Sequence, residues 1–405
     1  MKKLIFLQII ITISSLTYSQ WVLDSNGIGN KYIYSLTNNG NNIFAGSYHY
    51  ISPYSGVYLS TNNGSNWTQA GLINLNVWSL TVKGNNIFAG TQGNGGGLYL
   101  STDNGSSWTN TSLYQWVYSL AVNENTIFAG VRDNGVFLST NNGTNWTQTS
   151  LNNRWVYSLA VNGDYVFAGT ISYGVYLSSN NGTNWTQTSF YNGEVLSLAV
   201  NGNNIFAGSY GVFFSTNNGT SWNPAGLSNQ WVLSLAVNGN YVFAGTLNAG
   251  FYSSSDNGAN WILKNEGIIC NEVRALCMSN NYIFAGTDSS VYRRPLFELV
   301  GINPISSNEP IQFNLYQNYP NPFNPTTKIK FYIPLSRGVP EGRGMSTKLI
   351  IYDILSREVT TLVNENLSPG TYEIEWNGSN FPSGVYFYKL ETENYSNTKK
   401  LILLK

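Results

Sequence analysis

Charge is scarce in this chain of 405 residues. Only 10% of it is Asp, Glu, Lys or Arg, and 20 basic residues balance 20 acidic ones. No basic field exists to gather nucleic acid or an anionic lipid surface, so no nucleic-acid partner is expected. Histidine is reduced to His49, which rules out Cys/His metal centres and leaves serine-hydrolase chemistry without a placed base. There are two cysteines, Cys270 and Cys277, too few for a disulfide framework. Cys277 falls at a small inward strand position and Cys270 in a loop. Free thiols are therefore the expectation, although pairing stays open. After Leu16 no apolar run is long enough to cross a bilayer as a helix, so the mature chain is expected to carry no integral membrane segment. Helical periodicity is also missing throughout.

The start of the chain is the exception. Lys2-Lys3, an apolar stretch from Leu4 to Leu16, and Thr17-Tyr18-Ser19 before Gln20 read as a secretory signal peptide over residues 1–19.

What is abundant is one repeated word. Phe-Ala-Gly closes at Gly46, Gly90, Gly130, Gly169, Gly208, Gly245 and Gly286, a period of ~40 residues that marks a repeat architecture. The copy from Val156 to Gln187 reads as four strands, Trp155 to Val161, Tyr165 to Thr170, Gly174 to Ser178 and Trp185 to Thr188. They are rich in Val, Leu, Tyr and Phe. Asn162-Gly163, Asn201-Gly202 and Asn238-Gly239 supply positive φ between the first two strands. Seven four-stranded units predict a seven-bladed β-propeller over residues 20–296.

A second word, Ser-x-Asx-x-Gly-x-x-Trp, begins at Ser60 and ends at Trp67, then ends again at Trp108, Trp146, Trp185, Trp222 and Trp261. It resembles the Asp-box of sialidase-like and sortilin-like propellers, and the runs also resemble photosystem-II-assembly-factor propellers. The Asx and Gly suit a structural turn rather than calcium, because only Asp103 and Asp256 are acidic there. No metal or cofactor is expected. A seventh box is missing. Trp21-Val22-Leu23 stands before the first repeat, so the N-terminal strand is expected to complete the last blade.

Near residue 297 the texture changes. Residues 297–310, with Asn303-Pro304 and Glu309-Pro310, read as a linker. Strands follow at Lys348 to Tyr352, Thr371 to Trp376 and Gly384 to Leu390. Tyr319-Pro-Asn-Pro-Phe-Asn-Pro325, Leu349-Ile-Ile-Tyr-Asp353, Ser383-Gly-Val-Tyr-Phe-Tyr388 and the basic-apolar terminus resemble the C-terminal sorting domain of type IX secretion substrates. That resemblance covers residues 311–405. It implies a small immunoglobulin-like β-sandwich, the type IX machinery as partner, and a protein carried through the periplasm to the outer surface or beyond.

The sialidase resemblance does not extend to that family's active-site residues, so binding is expected ahead of enzyme activity, which stays open. The three substrate-binding arginines of that family have no matching set, and the position of its Arg-Ile-Pro word holds Lys31-Tyr-Ile-Tyr34. No catalytic residue is assigned. Binding of an extracellular glycan, peptide or surface partner is the expectation, and a glycan-cleaving enzyme is the alternative. The variable positions at the start of each first strand form the candidate ligand site: Tyr34, Trp78, Trp116, Trp155, Glu194, Trp231, Glu272 and Arg274. Glu194 and Glu272 are the acid pair any chemistry would use.

Overall fold

The computed structural model describes residues 20–49, 55–191, 193–279, 282–299, 302–306, 312–334, 345–367, 370–393 and 395–404. The expected signal peptide lies outside them.

Seven four-stranded antiparallel sheets fill residues 22–295. The fourth is representative: Val156–Asn162, Tyr165–Thr170, Gly174–Ser178 and Thr186–Gln187, paired in sequence order. Its strands match the expected ones to within a residue or two at each end. The Phe-Ala-Gly word lies in the second strand of every sheet. Each Phe, from Phe44 to Phe284, is buried between sheets. The glycine is a steric requirement. A Cβ at Gly208 would stand 2.2 Å from Ser197 Oγ and 2.8 Å from Val232 Cγ1 of the next sheet. At Gly169 the same atoms of Ser158 and Val195 would be 2.2 and 2.6 Å away. The serines use this closeness to donate across the gap, as Ser119, Ser158 and Ser234 do to the carbonyls of Val156, Val195 and Val273, each at 3.2 Å.

The sheets form a ring, a β-propeller. The last sheet meets the first through Gly286, where an added Cβ would lie 2.6 Å from Ile33, and through Phe284, which backs Gly64. Its four strands are Val22–Leu23, Val291–Pro295, Tyr282–Thr287 and Val273–Ser279, in that order. The N-terminal strand pairs Val22 with Arg293 and Leu23 with Tyr292. Trp21 is buried, its ring edge-on to Phe251 and its Nε1 donating to Lys264 O at 2.8 Å.

The turn between the first two strands differs in detail from the expectation. Asn162 pairs with Tyr165 inside the ladder, and Gly163 takes the positive φ of 59° at the first turn position. A glycine at that position is the demand of a type II′ turn. The asparagine is freed to bond sideways, donating from Nδ2 to Gly202 O of the next sheet at 2.7 Å.

After the propeller, two four-stranded sheets pack as a sandwich. One holds Ile302–Ser306, Gly370–Asn377, Thr326–Ile333 and Asn314–Leu315; the other Glu358–Leu367, Met345–Tyr352, Gly384–Thr392 and Tyr395–Leu403. This corrects the linker reading of 297–310. Leu296–Glu298 is a 3₁₀ turn, and Ile302–Ser306 pairs antiparallel with Gly370–Asn377. Pro304 gives this stretch the look of a linker. Proline is tolerated on an edge strand, which this is. The C-terminal strand is locked by the Pro-rich word: Phe323 N donates to Ile402 O, Leu404 N to Phe323 O and Ile402 N to Asn321 Oδ1, all at 2.9 Å.

Candidate functional site

The two faces of the ring differ in kind. One carries the hairpin turns and the six Ser-x-Asx-x-Gly turns. In these, Gly64 N donates to Ser60 Oγ and Asn66 N to Asn62 Oδ1, each at 2.9 Å, and the other five copies repeat both bonds. Asp103 is held down to about 2, chiefly by the hydroxyl and backbone N–H of Ser107. The turn tryptophans bind neighbouring sheets: Trp108 Nε1 donates to Ala70 O, and Trp261 Nε1 to Ala225 O, both at 2.6 Å. Among the described residues no cluster of three or more His, Cys, Asp or Glu could hold a metal ion.

The opposite face is the mouth, where each inner strand begins. Its geometry is set by a β-bulge that recurs in six sheets. Pairing jumps between Ile33 and Ser35, Val77 and Ser79, Val117 and Ser119, Val156 and Ser158, Val232 and Ser234, and Val273 and Ala275. The residue left over each time is Tyr34, Trp78, Tyr118, Tyr157, Leu233 or Arg274. A bulge leaves one residue unpaired and re-aims its side chain. Before it, the Val or Ile at 33, 77, 117, 156, 232 and 273 is buried between sheets, as is Val195 in the sheet that has no bulge.

The bulged residues touch one another across five sheets. The Arg274 guanidinium lies 4.4 Å from the Tyr34 ring centre. Tyr34 meets Trp78 at 4.4 Å, Trp78 meets Tyr118 at 4.9 Å edge-on, and Tyr118 stacks on Tyr157 at 4.8 Å. Tyr118 is buried, and Tyr34, Trp78 and Tyr157 are half-buried. The Trp78 indole N–H is buried without a hydrogen-bond acceptor. Burial pushes the Tyr157 phenol up to about 12, with Tyr118 and Glu194 adding to it.

The outer members of the candidate set are placed as follows. Trp116 and Trp155 flank Arg132, whose guanidinium lies 4.6 and 4.4 Å from their rings. Asp133 accepts from Trp155 Nε1 and lies 3.5 Å from Arg132 Nε. Trp231 contacts Tyr210 at 5.2 Å. Glu272 forms an ion pair with Arg274. Burial raises the Glu272 carboxyl above the ordinary range, Arg274 opposes this, and Asp288 adds to it. Arg132 was not among the expected residues. It sits in the loop between the second and third strands, and nothing in its own repeat marks it as lying between two tryptophans. Cys270 and Cys277 are free thiols; burial drives Cys277 to about 12.

Residues 317–404 match the family model of the secretion system C-terminal sorting domain. The protein is therefore a secreted or cell-surface protein, and no helix among the described residues is long and apolar enough to cross a membrane. Among curated proteins none matches. Solved propellers do. YCF48 from Cyanidioschyzon merolae is 14% identical, with a TM-score of 0.53 over 69% of this chain and 99% of its own. YCF48 bound to D1 peptide gives the same score and identity, over 69% and 96%. An ancestral GH74 enzyme is 19% identical with a TM-score of 0.51, over 95% of this chain and 63% of its own. At these identities the likeness is one of fold.

Proposed function

We propose that the exported propeller binds an extracellular ligand at its mouth, through Tyr34, Trp78, Trp116, Trp155, Glu194, Trp231, Glu272 and Arg274. The observation that carries this is the arc from Arg274 through Tyr34 and Trp78 to Tyr157, built on bulges rather than on regular ladder positions. Bulges concentrate beside functional sites because they turn a side chain out of the pleat. The other face repeats its Asp-box turns almost unchanged, whereas the mouth varies from sheet to sheet. Aromatic faces with a few charges suit a sugar or a peptide. The fold also serves a protein solved with a bound peptide. On this reading the sandwich is an immunoglobulin-like address for the type IX machinery and the propeller is its cargo.

A second reading, a glycan-cleaving enzyme, draws on Glu272. Its carboxyl is raised by burial, as a general acid requires. The same carboxyl is already paired with Arg274, which favours binding over proton transfer. The test is an array of glycans and peptides probed with the full chain, together with turnover assays on every ligand bound. Binding without turnover is expected. Turnover abolished by Glu194→Gln or Glu272→Gln would replace this reading with the second.

A further inference from the structure

We infer that a neutral polysaccharide lies along the rim of the mouth over the fourth to sixth sheets, on platforms formed by Tyr173, Tyr191, Tyr210 and Trp231. Three of these rings stand in solvent, with 46%, 60% and 51% of Tyr173, Tyr191 and Tyr210 exposed. They lie outside the inner arc and none is a bulged residue. The four form one track. Tyr173 bridges to Gly193, which closes the loop that carries Tyr191. Gln187 Nε2 donates to the carbonyls of both Tyr173 and Tyr191, at 2.8 and 3.3 Å. Gly193 faces Ser209, the neighbour of Tyr210. Tyr210 bridges to Trp231 and its ring meets the indole.

The chemistry of the track selects the ligand class. Its charges are Arg154, 4.0 Å from the Tyr173 ring centre and 3.2 Å from Tyr176 Oη, and Glu194. One cation and one anion cancel, so a polyanion gains no counter-charge. In the loops that carry Tyr173, Tyr191, Tyr210 and Trp231 the exposed large apolar residues are all aromatic; the exposed aliphatic Ile269 lies beyond them, in the loop leaving the sixth sheet. A protein partner would draw its energy from a desolvated central cluster. A row of separate flat rings with serine, glycine and amide groups between them instead matches a sugar chain. Each pyranose presents a C–H face to a ring and hydroxyls to amides.

The track shares Trp231 and Glu194 with the mouth site proposed above and adds Tyr173, Tyr191 and Tyr210, so variants of these tyrosines test it separately from that site. The full chain is run through native gels containing hydroxyethyl cellulose, dextran, mannan or, as the anionic comparison, alginate. We expect retardation by at least one neutral polymer. Tyr191→Ala and Tyr210→Ala should each weaken it at least fivefold, with Tyr191→Phe and Tyr210→Phe close to wild type and all melting temperatures unchanged. Ile262→Ala, at an exposed position on the outer strand of the sixth sheet, should leave this retardation intact. Retardation by alginate alone, by no polymer, or equally in the alanine variants would overturn the inference.

Discussion

Asp24 and Arg293 close the propeller ring. The carboxylate lies 3.2 Å from the guanidinium, buried beneath the first turn, while Arg293 also donates to Asn63 O and Ser65 Oγ. Asp24 belongs to the N-terminal segment, Arg293 to the last sheet, and Asn63 and Ser65 to the first. Three stretches far apart in sequence meet at one ion pair. Removing residues 20–26 should therefore strip the outer strand from the last sheet, uncover Phe251, and bare an edge that invites association. A chain starting at Gly27 is expected to melt several degrees lower and to aggregate on heating; light scattering during a thermal scan reads both.

Burial pushes the Asp24 carboxyl up to about 7, against the pull of Arg293. The folded state thus binds a proton that the unfolded state, with an ordinary carboxylate, has lost. Stability from this group is fully present below about pH 4 and is lost as pH rises through about 7. Asp103, held low, acts in the opposite sense only below about pH 4. Urea denaturation at pH 5 and pH 8 should show the wild type more stable at the lower value. In Asp24→Asn the difference should largely disappear.

Phe-Ala-Gly is a steric statement. Gly208→Ala places a methyl group against Ser197 and Val232 in a gap with no room, at a cost of about 1–3 kcal/mol. Phe206→Ala empties a buried ring site and should cost about 3–5 kcal/mol. Melting temperatures should fall in that order.

The sandwich begins at Ile302, since that strand pairs with Gly370–Asn377. A chain ending at Leu299 should keep a folded propeller and lose its address. In a host with type IX secretion it should accumulate inside the outer membrane, and fractionation that finds it outside at wild-type levels would count against the sorting role.

Much of this was legible from the residues. Phe-Ala-Gly and Ser-x-Asx-x-Gly-x-x-Trp announce themselves because each copy meets the same packing and hydrogen-bonding demand, and the orphan Trp21 marked its own place in the last sheet. The bulges were hidden. Val156-Tyr157-Ser158 reads as continuous strand, and only the pairing of Val156 with Thr170 and Ser158 with Gly169 exposes Tyr157 as the extra residue. Arg132 was hidden for another reason: it meets Trp116 and Trp155 through the juxtaposition of two sheets, which no single repeat encodes. The strand at 302–306 was masked by Pro304, whose missing N–H costs nothing at a sheet edge.

On the proposed function, one face of the ring holds the fold together and the other binds. The most direct measurement compares Trp78→Ala, Trp155→Ala and Trp231→Ala with Trp108→Ala, Trp146→Ala and Trp261→Ala in the full chain, recording melting temperature and ligand binding for each. The turn-face variants should lose about 3–5 kcal/mol of stability and keep their binding while folded. The mouth variants should stay within about 1 kcal/mol of wild type and bind at least tenfold more weakly, as hot-spot aromatics do. If the mouth variants instead melt as low as the turn-face set and bind normally when folded, the mouth tryptophans serve packing alone and the mouth is not the binding face.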